Sequence, residues 1–173
     1  MSWQRVVNTS LFLFLVFILQ ETAVARINFP FNGFSLYIAT LMVLLSLEDR
    51  TGSLVFGFAG GMIIDLSPSA SSPFGQWALV MTFIGYLFSV NRETIGDFVD
   101  RPVAFVIFVC LSSALAMLAF LIIGTLLGQA NGGLMRNLSL ILANSLWTFL
   151  FVPIFLPLII RIRKMLLTNR ERV

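Results

Sequence analysis

One carboxylate stands where it could carry chemistry inside a membrane. Asp65 ends the short apolar run from Thr51 to Ile64 and directly precedes a Ser/Pro loop, LSPSASSP. A carboxylate at or within a bilayer is costly, so it usually has a partner or a purpose, such as a proton or ligand site. In the structural alternative, the carboxylate accepts hydrogen bonds from the amides and hydroxyls of Ser67, Ser69 and Ser71 and fixes the turn. We favour the structural role because no second intramembrane acid or His offers a proton relay.

The chain lacks most of the side chains used in classical catalysis. It contains no His, and its one Cys, Cys110, lies inside an apolar run. His or Cys metal ligation, Ser-His-Asp catalysis and disulfides are therefore excluded. The motifs GxxxxGKS/T, GxSxG and HExxH are absent, which excludes an ATPase, a hydrolase and a zinc protease. A lipid-modifying enzyme would need acids and bases that converge in one site, so we predict a protein without enzymatic activity, metal or cofactor.

Small residues recur on the same face as Asp65. If the run is helical, they appear every four residues and form one stripe with the acid: Ser53, Gly57 and Gly61. A ridge of small side chains lets another helix backbone approach closely, which is a main source of helix association in lipid. The stripe either packs inside this chain, which we favour, or docks another protein. Two further glycines complete this set of packing or docking candidates: Gly75 and Gly85.

The composition is that of a membrane protein. Hydrophobic residues make up 58% of the 173 residues and charged residues only 11%, with a mean hydropathy of +0.97, whereas soluble domains average about 25% charged residues. A net charge of +3 and a pI near 9.8 could suggest nucleic acid, but that needs basic residues gathered on one water-facing surface. Most of them flank apolar spans instead, so no nucleic acid is expected.

Charged residues divide the sequence into six apolar spans. They run about 6–25, 34–47, 51–65, 74–90, 102–127 and 138–160, and a basic tail, 161–173, follows. The first exceeds the about 7 to 15 residues of a signal-peptide core, so we interpret it as a retained span. The third is too short for a lipid-exposed helix, and is either a central helix sheltered by its neighbours or re-entrant. Pro153 and Pro157 should kink or loosen the sixth. We predict an all-α membrane protein, a single domain folded as a compact bundle of six transmembrane helices.

Lys and Arg are unevenly divided between the two sides of these spans. With six spans, nine lie on the side of both termini and only Arg26 and Arg136 on the other, which places both termini in the cytoplasm by the positive-inside rule. With five spans the best division is eight to three, with the N-terminus outside. Exposed charges on the cytoplasmic side are candidate contacts for protein or anionic lipid, although the basic tail also serves as a topological anchor: Arg92, Glu93, Asp97, Arg101, Arg161, Arg163 and Lys164.

The segment Gly57–Leu87, GFAGGMIIDLSPSASSPFGQWALVMTFIGYL, resembles the bacterial rod shape-determining protein MreD family. It contains a GxxxGxxxDL run, a short Ser/Pro loop, a Gly, and an apolar helix that ends near GYL. The close similarity to the family covers about thirty residues. The length of the chain, its six apolar segments and its basic C-terminus match the family more loosely.

This resemblance implies a non-enzymatic inner-membrane component of the cell-elongation machinery. Its implied partners are the membrane-anchored scaffold MreC, the actin-like filament MreB, and the glycosyltransferase and transpeptidase pair that synthesises peptidoglycan. The family is also similar in fold to the substrate-binding subunits of energy-coupling factor vitamin transporters. We therefore expect an adaptor whose helices pack against MreC and whose loop 91–101 and tail face the filament.

The alternative is a small-molecule transporter subunit. Such vitamin-binding subunits are expected to carry a stripe of small residues on the first span, for docking the transport module. Here that span reads NTSLFLFLVFILQ and is dominated by Phe and Leu, which counts against transport. A copurified vitamin, or a pocket of several hundred Å³ lined by polar side chains, would reverse this preference.

Overall fold

Seven α-helices make up the computed structural model, which describes residues 3–23, 34–67, 72–99, 101–129 and 133–166. They are α1 Trp3–Thr22, α2 Leu36–Leu47, α3 Arg50–Asp65, α4 Gln76–Val90, α5 Arg92–Val99, α6 Pro102–Leu126 and α7 Leu134–Leu166. No strand occurs among these residues, so the predicted all-α class is confirmed for them. Helices occupy each of the six apolar segments, and α5 lies in the polar stretch between the fourth and fifth, where the sequence did not indicate a helix.

Three helices are long and apolar enough to cross a membrane: Trp3–Thr22, Pro102–Leu126 and the Met135–Arg163 part of α7. α2 and α4 are apolar but shorter; their 12 and 15 residues reach only about 18 and 22 Å. Large apolar side chains are exposed along the long helices, as on α6, where Ile107, Leu111 and Leu115 are exposed on one side. Such a surface is unfavourable in water and suits lipid. The helices therefore indicate a membrane protein.

The most enclosed helix is α2. All residues from Leu36 to Ser46 are buried, because α2 is apolar on every side and each of the other helices packs against it. Its N-cap is Ser35, whose hydroxyl accepts a hydrogen bond from the Ile38 amide at 3.2 Å. The sequence predicted that the third segment is either a sheltered central helix or re-entrant, and in the structure the most enclosed position belongs to α2. α3 has an outward apolar face, on which Phe58 is 54% exposed, whereas α2 has no face suited to the surface.

α7 continues as a helix through Pro153 and Pro157, where the sequence predicted a kink or loosening. Prolines are tolerated in membrane helices because neighbouring groups satisfy the freed carbonyls. The helix also extends beyond the predicted end at residue 160, so the first part of the basic tail, up to Leu166, is helical. Residues 167–173 lie outside the described part of the chain.

Polar groups gather at the two ends of the bundle. At the first, the charged end, α1 begins and α2 and α7 finish, and Arg5, Glu48 and Arg163 meet there. At the opposite, amide end, carboxamide side chains bind the backbone: Gln20, Gln76 and Asn144. The Gln129 amide donates to Gln76 Oε1 at 2.9 Å. The interior between the two ends is apolar and aromatic.

Candidate functional site

The glycine stripe packs directly against the backbone of α4. A Cβ atom placed on Gly57 would lie 2.6 Å from the Met81 carbonyl oxygen, and one on Gly61 would lie 2.5 Å from the Trp77 carbonyl oxygen. On the facing helix, Gly85 meets the backbone of Ser53. Only glycine permits this approach of two helix backbones. The stripe is therefore occupied by the chain itself and does not present a free docking ridge.

Ser53 and Gly75 have roles different from those of the packed glycines. The Ser53 side chain is buried and its hydroxyl donates to the Leu45 carbonyl oxygen at 2.9 Å, which joins α3 to α2. Gly75 is the N-cap of α4 with φ +92°, a left-handed conformation that glycine adopts without strain. Nothing lies within 4 Å of a Cβ built there. Gly75 thus acts through its backbone conformation and not, as the sequence suggested, through packing.

Asp65 caps the next helix. Its Oδ1 accepts a hydrogen bond from the Trp77 amide at 3.1 Å, and its Oδ2 accepts one from the Ala78 amide at 2.9 Å. These amides belong to the first turn of α4, where N–H groups have no partner within the helix, and the N-cap Gly75 has no side chain to bind them. A negative charge at a helix N-terminus is also stabilising. The carboxylate therefore has a structural role, in which the Trp77 and Ala78 amides are the donors. Of the serines that the sequence suggested as donors, Ser69 and Ser71 lie outside the described residues.

We expect Asp65→Asn to destabilise the protein by about 1 to 2 kcal/mol, since an amide retains only one acceptor for the two N–H groups. The midpoint of thermal unfolding of the detergent-purified protein measures this loss. Hydrogen exchange should accelerate at the Trp77 and Ala78 amides in particular. The matched control is Asp97→Asn, because Asp97 is exposed on α5. Equal midpoints for the two variants would contradict the capping role.

A buried ion-pair network closes the charged end. Arg5 forms an ion pair with Glu48, and its guanidinium lies 3.6 Å from Asp49 Oδ1. Arg163 Nε donates to Glu48 Oε1 at 3.1 Å, and Arg163 Nη2 donates to the Leu47 carbonyl oxygen at 2.5 Å. Glu48 is only 4% exposed and Arg5 only 7%. One carboxylate therefore joins the ends of α1, α2 and α7.

Sequence reasoning missed this network. It treated Glu48 as a break between spans and Arg5 as a topological charge. One sequence feature could have indicated the network: Glu48 directly follows a helix that is apolar on all sides, so its carboxylate lies close to a buried helix end. Arg163, a predicted candidate contact on the cytoplasmic side, forms an ion pair with Glu48, because α7 ends beside α2, and its side chain is 24% exposed.

The other predicted contact residues are accessible where they are described. Arg92, Glu93 and Asp97 are exposed on α5, while Ile95 on the same helix is buried. Arg101, directly before α6, and Arg161, near the end of α7, are also exposed. The side chain of Lys164 lies outside the described residues. Exposed charge thus surrounds the buried network at the charged end.

A cavity of about 300 Å³ opens among the helices at the amide end. Its lining combines aromatic, aliphatic and polar side chains: Phe17, Gln20, Glu21, Ser35, Tyr37, Ile38, Ile64, Ser67, Ser72, Trp77 and Phe120. This volume is at the lower end of the range for ligand pockets, about 300 to 1,000 Å³. Among the described residues no group of three or more His, Cys, Asp or Glu could hold a metal ion. The cavity therefore suits a small organic molecule better than a metal.

The fold and these sites define an all-helical protein with helices suited to a membrane. Comparison with protein-family models, with curated proteins and with solved structures finds no match.

Proposed function

We propose that this protein is a non-enzymatic adaptor in the bacterial inner membrane and a member of the MreD family that acts in the cell-elongation complex. The α3–α4 interface is the observation that carries the proposal. Residues that carry the resemblance, Gly57, Gly61, Asp65 and Gly85, meet in this one contact. A sequence signature that builds a tight helix pair supports a structural role, because it brings no reactive groups together.

The proposed topology has six spans with both termini in the cytoplasm. Arg5, Arg50, Arg92 and Arg101 lie at or near helix ends on the charged side, as do the arginines that end α7. Arg136, at the start of α7, lies at the amide end. By the positive-inside rule the charged end is cytoplasmic. The short helices α2 and α4 are accommodated because side chains of the same chain bind their end groups: Ser35 and Arg163 at the two ends of α2, and Asp65 at the start of α4.

The proposed partners bind at two places. The single span of MreC packs against an exposed apolar helix face, and membrane lipid covers the rest. On the cytoplasmic side, α5 and the exposed end of α7 present charges towards MreB and the glycosyltransferase and transpeptidase pair. Since α5 is anchored to the bundle by buried Ile95, its charges are held in a fixed orientation.

Charge reversal on α5 tests this surface. We expect Arg92→Glu combined with Arg101→Glu to reduce co-purification of the cytoplasmic elongation proteins several-fold, because the reversed charges repel an acidic partner surface. MreC should remain bound, since its contact is within the membrane. Pull-down in mild detergent, followed by mass spectrometry, measures both. Unchanged recovery of every partner would contradict the assignment of this surface.

The matched control is Arg136→Glu, a charge reversal at the opposite end. Recovery of elongation proteins by the unmodified chain supports the adaptor. Recovery of a pair of ATPases with a T-type membrane subunit supports transport and would overturn the proposal.

The cavity favours a second candidate function, a substrate-binding subunit of a small-molecule transporter. Its volume of about 300 Å³ and its partly polar lining approach the polar pocket of several hundred Å³ that a transporter subunit would need. Its main polar groups, however, already bind the protein: Gln20 Oε1 accepts from the Leu36 amide at 2.9 Å, and the Tyr37 hydroxyl donates to the Gly60 carbonyl oxygen at 2.9 Å. Few hydrogen-bonding groups are left to select a vitamin. The adaptor therefore remains the first proposal.

A further inference from the structure

We propose that the cavity at the amide end binds a small organic cation, such as a quaternary or primary ammonium compound. The site would use aromatic ring faces and the carboxylate of Glu21. This inference goes beyond the adaptor function and holds whether the bound cation is a cargo or a resident ligand. A volume of about 300 Å³ limits the ligand to a small molecule.

Four aromatic rings line the cavity, each from a different helix. Phe17 of α1 and Tyr37 of α2 form an edge-to-face pair with centroids 5.7 Å apart. Trp77 of α4 and Phe120 of α6 stack with centroids 4.2 Å apart. Ring faces attract a cation within about 6 Å of the centroid, and aromatic cages are a common way to bind quaternary ammonium groups. Two ring pairs at one cavity fit that mode of recognition.

The charge of the lining has the matching sign. Glu21 is the one charged residue among the described residues that line the cavity, and it forms no ion pair within the described part of the chain. A carboxylate at the end of a membrane helix usually has a partner or a purpose. Among the described residues that line the cavity there is no Lys or Arg, so these residues offer no positive charge to an anionic ligand.

The hydrogen-bonding groups of the lining reinforce this choice. Gln20 is held by two bonds to the backbone before and at the start of α2, to the Phe34 carbonyl oxygen and the Leu36 amide. The Tyr37 hydroxyl is held by Gly60. The ring faces and the Glu21 carboxylate are the groups of the described lining that can attract a charged ligand. Those groups recognise positive charge and not a pattern of donors and acceptors.

Binding of choline and of its neutral isostere 3,3-dimethylbutan-1-ol to the full chain in detergent tests the inference. The two probes have nearly the same shape, but the alcohol has carbon in place of the charged nitrogen. We expect saturable choline binding by isothermal titration calorimetry, at least about tenfold tighter than binding of the alcohol. Glu21→Gln should weaken choline binding about tenfold and leave the alcohol unaffected.

Phe17→Leu provides a second variant that keeps an apolar side chain and removes a ring face. It too should weaken choline binding, and Glu93→Gln, which changes an exposed acid on α5, should not. Size-exclusion profiles establish that each variant is folded. The inference is overturned if choline and tetramethylammonium fail to bind saturably, if the alcohol binds as tightly as choline, or if folded Glu21→Gln binds choline as the unmodified chain does. Co-purification of elongation proteins is a separate measurement, so failure here is distinguishable from failure of the adaptor proposal.

Discussion

Replacing Gly61 with alanine is expected to lower the free energy of unfolding by roughly 3 kcal/mol. The new methyl group would meet the Trp77 carbonyl oxygen at 2.5 Å and the Ala78 amide nitrogen at 2.7 Å. These are backbone atoms, so no rotamer change can relieve the overlap and the two helices must separate. Separation would also weaken the bonds from Asp65 to the first turn of α4. The yield of monodisperse protein and the midpoint of thermal unfolding measure the effect.

Two other glycines provide matched controls. At Gly60 the new methyl group would meet Leu41 Cδ1 at 2.7 Å, which is the end of a side chain that can shift, so a smaller loss is expected. At Gly96 on α5 nothing lies within 4 Å, and alanine should stabilise the helix by about 1 kcal/mol through its higher helix propensity. We expect Gly96→Ala to be the most stable of the three variants, Gly60→Ala to be intermediate and Gly61→Ala to be the least stable. If Gly61→Ala were as stable as Gly96→Ala, the close contact between α3 and α4 would be refuted.

Replacing Glu48 with glutamine is expected to cost roughly 3 to 5 kcal/mol, the usual penalty for breaking a buried ion pair by removing one partner. The substitution keeps the shape of the side chain but leaves the Arg5 guanidinium buried without its main counter-charge. Arg163 is less affected because its side chain is 24% exposed and can turn to water. Thermal unfolding in detergent measures the loss. Cross-linking between cysteines placed at the ends of α1 and α2 would report whether these helices separate.

The exposed acid Glu93 supplies the control, since Glu93→Gln should change stability by less than about 0.5 kcal/mol. A double variant, Arg5→Gln with Glu48→Gln, should be more stable than the sum of the two single losses predicts, because neither buried charge is then unpaired. Strictly additive losses would show that the pair is not coupled. The charges at this end would then serve only to orient the protein in the membrane.

Local sequence patterns predicted the positions of the apolar helices well, but they did not predict how deeply each helix is buried. Apolar runs between charged residues indicated each long helix because backbone hydrogen bonds must be satisfied within a segment in lipid. The same patterns did not show which helix is central, since α2 and α3 are both short and bounded by charges. α2 is enclosed because all its faces are apolar, whereas α3 uses its glycine face for α4 and leaves Phe58 outside. The helix α5 was missed because it has only eight residues and, among its described side chains, Ile95 alone is buried.

For the candidate sites, too, local features could be predicted from the sequence, whereas contacts between distant segments could not. Four-residue spacing identified Gly57, Gly61 and Asp65 as one stripe, because helical periodicity is a local property. The partners of that stripe could not be read from spacing. The aromatic cavity likewise assembles its four rings from four separate helices, and each helix contributes only one ring.

From its sequence alone this chain is an apolar helical protein with a narrow small-residue face that ends in an acid, since composition and periodicity depend only on neighbouring residues. Only the tertiary structure decided what each polar group binds. Glu48 pairs with Arg5 across 43 residues and with Arg163 across 115 residues, and Asp65 caps a helix that begins beyond the next loop. These choices follow from which helix ends come together in three dimensions, a property that depends on packing along the whole chain and leaves no local pattern.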